Sequence, residues 1–353
     1  MRGRRIRTGV RPLELVPAHP FRISRSEHAV YERRVVRLEH EGETGWGEAA
    51  PSSRYGESPS TVDAALEELA GTLGDDPYAI QAIEARWSPL RESASAKAAL
   101  SMALHDLIGR RHGLPLYRWL GLDLERVPPT SFTIGIGTSG ETRRKVEEAA
   151  GCPILKVKMG FEDDVETLRA VRDLTGKPIR VDANEGWSRE GALDRLPALE
   201  EAGVELLEQP VAAADVEGLA RIAAATSIPV FADESCRTRA DLPGLVGVVE
   251  GINVKLAKCG SIVEAATLMR AARAFGLEVL LGCMVESSLG IAAAAHLAPL
   301  ADHADLDGHL LLAEDPFAGP RLVEGRVLPA PDAPGLGARP RGGEDHGTAF
   351  ATI

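Results

Sequence analysis

Three acidic residues close three successive apolar runs: Asp182 in PIRVDANEGW, Glu208 in ELLEQP and Asp233 in IPVFADES, with gaps of 26 and 25 residues. Each gap holds one strand and one helix, and in a (β/α) barrel every strand ends on the same face. The three carboxylates are therefore expected to converge as hard oxygen ligands for Mg²⁺, with positions left open for water or substrate. The same period brings lysines to that face. Lys156 and Lys158 close ILKVK, 24 residues before Asp182, and Lys255 closes INVK, 22 residues after Asp233. Strand alternation points Lys156 and Lys158 to one side. Two neighbouring ammonium groups and a cation are expected to lower a lysine pKa towards that of a usable base. Lys158, on the second strand, would face Lys255, on the sixth, across the mouth. Removing a proton α to a carboxylate needs a base and a positive charge to hold the enediolate, which the metal ion supplies. Two bases on opposite sides permit inversion at that carbon.

Plainer roles compete at several of these positions. Asp233, in ADES ahead of a helix, is also a candidate N-cap, with Glu234 and Ser235 able to share the task. Lys258 reads as a loop or helix-start residue rather than a third base. Asp305 and Asp307 in ADLDG share a strand side, yet the four residues DLDG also make a good turn. Glu286 in GCMVESSLG either lines the pocket or caps the next helix. His105, His296, His303 and His309 lack metal-ligand spacing and read as structural or surface residues. The glycines of GIGTSG do not fit a dinucleotide-binding loop.

The elements that must position these groups follow from the patterning. From residue 129 onward, β-branched runs alternate with amphipathic helices such as DDVETLRAVRDLTG and GSIVEAATLMRAARAFG. The strands are expected at 131–136, 154–158, 178–182, 204–207, 228–232, 251–255, 278–281 and 304–307. Eight parallel strands with helical crossovers imply a closed (β/α)8-type TIM barrel of the α/β class. An open doubly wound sheet would gather ligands at one switch point only, whereas the residues singled out here come from at least six successive strands. The domain limits expected are 1–128 for an α+β capping unit, 129–318 for the barrel and 319–353 for a segment returning to the cap. Within the cap, RTGVRPLELV and AVYERRVVRLEHEG read as strands. STVDAALEELAGTL reads as a helix capped by Ser60, and SASAKAALSMALHDLIGRRHG as a second helix. The end, ARPRGGEDHGTAFATI, has no periodicity and reads as mobile.

The chain has 353 residues, 44% hydrophobic and 26% charged, and a formal net charge of −12. That charge argues against nucleic-acid or anionic-membrane partners, which need a basic face. Cys152, Cys236, Cys259 and Cys283 are too scattered for a zinc site or a disulfide framework. The basic start MRGRRIRTGVRP leads into no apolar signal core, and GIAAAAHLAPL is too short to span a bilayer, so a cytoplasmic protein is expected.

The order K-V-K, V-D-A-N, E-Q-P, A-D-E-S and N-V-K-L-A-K-C-G resembles the muconate lactonizing enzyme subgroup of the enolase superfamily, and W-G-E-A-A-P resembles part of its capping domain. Lysine bases working beside Mg²⁺ are a known pattern of that superfamily. The resemblance spans essentially the whole chain. It implies a modified (β/α)7β barrel, Mg²⁺ on Asp182, Glu208 and Asp233, and Lys158 with Lys255 as the acid/base pair, Lys156 tuning Lys158. D-x-D on the last strand looks like the dipeptide epimerases, which implies that Asp305 and Asp307 hold a substrate ammonium. The implied activity is inversion of the α-carbon of a dipeptide's C-terminal residue by 1,1-proton transfer. The alternatives are o-succinylbenzoate synthase or N-acylamino acid racemase activity, neither of which gives D-x-D an ammonium, and a non-catalytic binding protein. Two departures stand out. K-C-G-S from Lys258 to Ser261 replaces the usual K-x-G-G. The arginine that such an enzyme uses for an acidic side chain falls on Arg22 or Arg25 in PFRISRSEH, with Arg54 in PSSRYGES adding a second loop cation. Self-association is left open.

Overall fold

The computed structural model describes residues 5–87, 93–342 and 349–353. Eight parallel strands form the larger sheet: β1 (Ser131–Ile134), β2 (Ile154–Lys158), β3 (Ile179–Asp182), β4 (Val204–Glu208), β5 (Val230–Ala232), β6 (Gly251–Val254), β7 (Glu278–Gly282) and β8 (His303–Asp305). Each pairs with its sequence neighbour, and a parallel bridge between Thr130 and Ala304 joins the last strand to the first. The strands are short and buried on both faces, as parallel strands covered by crossovers must be. A helical segment follows each of β1 to β7, and among the described residues no helix follows β8. The connection after β5 contains a 3₁₀ turn, Arg239–Gly244, where an α-helix was expected; Pro243 lies within it and removes a helix donor.

A four-stranded antiparallel sheet builds the cap, in the order Ala351–Thr352, Arg7–Leu15, Tyr31–His40, Glu43–Ala49. The alanine-rich helix Ala94–Arg111 lies across it, buried along most of its length. Glycines in TGWGE allow that approach. A Cβ on Gly45 would come 2.1 Å from the Ala103 carbonyl oxygen, and one on Gly47 would come 2.0 Å from that of Ala99. Leu66, Leu69, Leu100 and Leu104 fill the space between helices and sheet, each burial contributing about 1.5–3 kcal/mol. Asp106 on this helix accepts from the backbone N–H groups of Trp46 and Leu336, tying the cap to the returning C-terminal segment.

Two local expectations are corrected. The helix Pro59–Ala70 is capped by Ser58, in a capping box with Thr61, rather than by Ser60. Pro59 takes the first helical position, where its missing N–H costs nothing. The C-terminal stretch is also not a free tail throughout. Arg339–Pro340 pairs with Phe317–Ala318, and Ala351–Thr352 adds an edge strand beside Gly9 and Val10. Phe350 explains that docking: its ring lies under the guanidinium groups of Arg11 and Arg37 and against the edge of Trp46. Residues 343–348 of the expected tail lie outside the described residues. Among the described residues, no helix is long and apolar enough to cross a membrane.

Candidate active site

Parallel register places the charged strand ends side by side. Lys158 is level with Asp182, and Asp182 with Glu208. Asp233 and Lys255 follow immediately after β5 and β6. The Lys156 ammonium lies 2.6 Å from Asp305 Oδ2, 2.8 Å from Glu208 Oε2 and 3.1 Å from Asp182 Oδ2. Lys158 Nζ donates to Asp182 Oδ2 at 2.6 Å, and Lys255 Nζ to Asp233 Oδ2 at 2.7 Å. Since β2 and β6 are half a ring apart, the two lysines flank the acids from opposite sides.

Burial raises the carboxyl of Glu208 to about 7, with Asp182 and Asp233 adding repulsion. Asp182 and Asp233 go the other way: burial opposes their charge, but Lys158 and Lys156 hold Asp182 down, and Lys255 and Lys258 hold Asp233 down. The expected fall in lysine pKa is reversed at Lys156 and Lys255. Burial disfavours both ammonium groups, yet Asp305, Glu208 and Asp182 around Lys156, and Asp233 and Glu208 around Lys255, raise them. The expectation counted the neighbouring ammonium groups and a bound cation, and left out the carboxylates that surround these lysines.

Asp182, Glu208 and Asp233 each offer an oxygen, and these atoms lie within 4.8 Å of one another. All three side chains are buried, and the donors are oxygen only. Glu208 Oε2 accepts no hydrogen bond, because the nearby Lys156 ammonium is not aligned with it. Three buried hard donors gathered this closely, one of their oxygens without a hydrogen bond, fit Mg²⁺.

Lys258 and Asn253 were undervalued by sequence reading. The short helix Leu256–Cys259 carries Lys258 back beneath the mouth, where Nζ donates to Asp233 Oδ1 at 2.5 Å and to the carbonyl oxygens of Asp233, Asn253 and Cys236. Asn253 Nδ2 donates to Glu208 Oε1 at 2.7 Å. The available signal was spacing: Asn253, Lys255 and Lys258 turn inward from one strand–helix junction.

Asp305 and Asp307 are both buried at the mouth, although β8 ends at Asp305 and Asp307 stands in the turn after it. Asp305 Oδ1 accepts from the Ser131 hydroxyl, and Asp307 Oδ2 from the Thr133 N–H at 2.6 Å. Burial and the Asp305 charge push Asp307 up to about 7. A cavity of about 480 Å³ joins this cluster to the cap, lined among others by Phe21, Ile23, Tyr31, Tyr55, Met284, Arg25 and Arg54. Arg22 and Glu286 are not among its lining residues. Glu286 folds back to accept the Met284 N–H at 2.8 Å, and Ser287 caps the helix Ser288–Leu297. In this arrangement the turn after β7 directs Met284 and Val285, rather than Glu286, to the cavity.

Barrel, cap and acid–lysine ring together define a superfamily. Residues 7–121 match the mandelate racemase/muconate lactonizing enzyme N-terminal domain, and residues 141–344 match the enolase C-terminal domain-like family. The chain belongs to the muconate lactonizing enzyme subgroup of the enolase superfamily. It is 39% identical to the L-Ala-D/L-Glu epimerase of Bacteroides thetaiotaomicron, over 92% of this chain and 86% of that one. It is 38% identical to the hydrophobic dipeptide epimerase of Roseobacter litoralis, over 90% of this chain and 94% of that protein. The crystal structure of the Enterococcus faecalis dipeptide epimerase with Mg and L-Leu-L-Tyr superimposes with a TM-score of 0.88 at 33% identity, covering 94% of this chain and 98% of that one.

Proposed function

We propose that this protein is a Mg²⁺-dependent dipeptide epimerase that inverts the α-carbon of a dipeptide's C-terminal residue. The observation that carries this reading is the placement of Lys158 and Lys255 on opposite sides of a three-carboxylate cluster, with Asp305 and Asp307 buried at the same mouth. The similarity to dipeptide epimerases supports it, and does not favour the synthase or the N-acylamino acid racemase.

Asp182, Glu208 and Asp233 would hold Mg²⁺, which supplies the positive charge that makes an α-proton of a carboxylate removable. One lysine, as the neutral amine, takes the α-proton; the other, as ammonium, returns a proton to the opposite face. Proton number is conserved, and the two lysines exchange protonation states in each turnover. Lys156 keeps its ammonium between Asp305, Glu208 and Asp182, and so orders the acids that Lys158 and the substrate meet. Asp305 and Asp307 would receive the dipeptide ammonium.

Incubation of L,L and L,D dipeptides in D₂O with Mg²⁺ tests this directly. Deuterium should enter the C-terminal α-position together with epimerisation. Lys158→Ala should stop exchange from one epimer and spare the other, and Lys255→Ala should show the reverse. Absence of α-exchange with every dipeptide would leave a binding protein on an enzyme scaffold.

A further inference from the structure

The cap reaches the cavity through the hairpin Phe21–Ile23/Ser26–His28 and through the turn Ser53–Tyr55. Each sends one arginine to the cavity wall, and both of these are already engaged by the barrel. Arg25 donates to Glu234 Oε1 at 2.7 Å and to the Asn184 carbonyl oxygen at 2.9 Å. Arg54 grips both oxygens of Glu185, from Nε at 2.5 Å and from Nη2 at 2.7 Å. That fork-to-fork geometry is the strong form of an arginine–carboxylate pair. Asn184 and Glu185 are presented by consecutive left-handed residues, with φ of 45° and 66°, a conformation that costs energy and persists only where the surroundings enforce it.

Other contacts follow the same pattern. Ser24 Oγ donates to the Asn184 carbonyl oxygen at 3.0 Å. The hairpin comes so close that a Cβ on Gly160 would stand 2.8 Å from Ser24 Cβ. Arg33, the third arginine of the cavity wall, directs its N–H groups to the carbonyl oxygens of Val285, Glu32 and Pro51. No guanidinium of the wall is therefore left over for a substrate carboxylate. The rest of the cap-side wall includes Phe21, Ile23, Val30, Tyr31 and Tyr55.

We propose that Arg25 and Arg54 are positioning residues that fasten the two cap loops onto Glu234 and Glu185, and that the substrate's side chain is read by Phe21, Ile23, Tyr31 and Met284, so that apolar C-terminal residues are preferred to acidic ones. The substrate half of this inference rests on the dipeptide epimerase reading; the fastening does not.

The full-length enzyme with Mg²⁺ is assayed on L-Ala-L-Leu, L-Ala-L-Phe and L-Ala-L-Glu. Ala-Leu and Ala-Phe should outperform Ala-Glu. Arg25→Met and Arg54→Met should each lower kcat/KM by about tenfold on all three substrates, leaving their ratios unchanged. Combining Arg54→Met with Glu185→Gln should cost little more than either alone, as expected of a shared pair. Hydrogen exchange reads the fastening without any substrate: the 21–28 amides should exchange faster in Arg25→Met, and the 52–56 amides in Arg54→Met. If Arg25→Met does not fold, Arg54→Met and Glu185→Gln carry the same test from the other loop. A loss confined to Ala-Glu, or a preference of the unmodified enzyme for Ala-Glu, would make the arginines receptors for substrate and overturn the proposal. Unchanged exchange at 21–28 in Arg25→Met and at 52–56 in Arg54→Met would overturn the fastening. Lack of turnover with any dipeptide, alongside faster hairpin exchange, would count against the substrate assignments alone.

Discussion

The barrel mouth and the cap loops above it both place charge over the same cavity, and they stabilise it differently. At the mouth the charges are held by groups from other parts of the barrel: Lys156 among Asp305, Glu208 and Asp182, Asp233 against Lys258, Glu208 against the Asn253 amide. Those partners share one hydrogen-bonded ring and stay together whatever the cap does. The loop charges have partners only across the gap between domains. Arg25 needs Glu234 and Arg54 needs Glu185, and either pair exists only while its loop lies on the barrel. Preorganised charge of the first kind suits chemistry, where groups must not rearrange during the reaction. Conditional pairing of the second kind suits entry, closure and release.

If the contrast is right, the largest effects come from the ring. Glu208→Gln removes one anionic ligand and one of the acids that hold Lys156. Turnover should fall by at least about 10³-fold, in line with the several kcal/mol attributed to a catalytic metal ion. Circular dichroism should show an intact fold, and titration with Mn²⁺ should show weaker binding. Wild-type activity in this variant would break the comparison at its stronger end, because the mouth would then tolerate a missing charge as a loop does.

Asp307 comes next, because it belongs to the ring's edge and lies beyond the last strand residue. An ammonium paired with it is buried when the loops close, and removing one partner of such a pair costs about 3–5 kcal/mol, so Asp307→Asn should lose roughly 10²- to 10³-fold in kcat/KM on free dipeptides. The pH dependence has a defined sign. Burial and Asp305 push the Asp307 carboxyl up to about 7, so below that pH it is neutral and attracts an ammonium poorly. KM should therefore improve as pH rises through about 7. It should worsen again as the dipeptide amine, with an ordinary pKa near 8, loses its charge. Asp307→Asn should remove the acidic limb of that profile. A limb that survives the substitution would assign it to another group, and equal turnover of N-acetylated dipeptides would remove the ammonium contact altogether.

The same contrast explains what was legible in the sequence. Asp182, Glu208, Asp233, Lys158 and Lys255 were readable because the βα period fixes which face a strand end occupies, and a residue type at a strand end then reports its surroundings. The resemblance, rather than spacing, supplied the reading of Asp305 and Asp307. Loop residues obey no such period. Arg25 and Arg54 could be recognised as loop cations, but the acids they meet lie 209 and 131 residues further along the chain, a distance that no local pattern encodes. Glu286 was ambiguous for a related reason: one turn residue decides whether a carboxylate faces the cavity or folds back on its own backbone. The edge strand Ala351–Thr352 was invisible because two residues have no periodicity, and Phe350 between two arginines is a tertiary contact. Lys258 was read as a loop or helix-start residue, yet it stands near the end of the single helical turn Leu256–Cys259, from which its ammonium reaches Asp233.

Glu48 stands between the two cases, and it supplies the smallest effect. It sits on the cap strand Glu43–Ala49, yet its carboxylate accepts the N–H and hydroxyl of Ser287, at the start of a barrel helix. Arg33 lies nearby but directs its Nε and Nη2 to the Val285 carbonyl oxygen, so Glu48 is joined to the barrel without a direct cation. Burial, with Glu286 adding repulsion, pushes its carboxyl up from 4.5 to about 7. A raised carboxyl means that the folded chain binds more protons than the unfolded chain between those two values. Stability must then fall as pH rises from about 4.5 through 7, and the penalty is fully present above that. In Glu48→Gln the amide oxygen can still accept the Ser287 N–H, and the amide N–H₂ can donate to its hydroxyl, without an ionisable proton. The variant should therefore lose less Tm than the wild type between pH 5 and 8, by a few °C, with the gap opening towards the alkaline end. Differential scanning calorimetry at fixed Mg²⁺ across that range would measure it. Parallel Tm profiles for the two proteins would mean that the cap–barrel junction carries its charge as the mouth does, with compensation already in place.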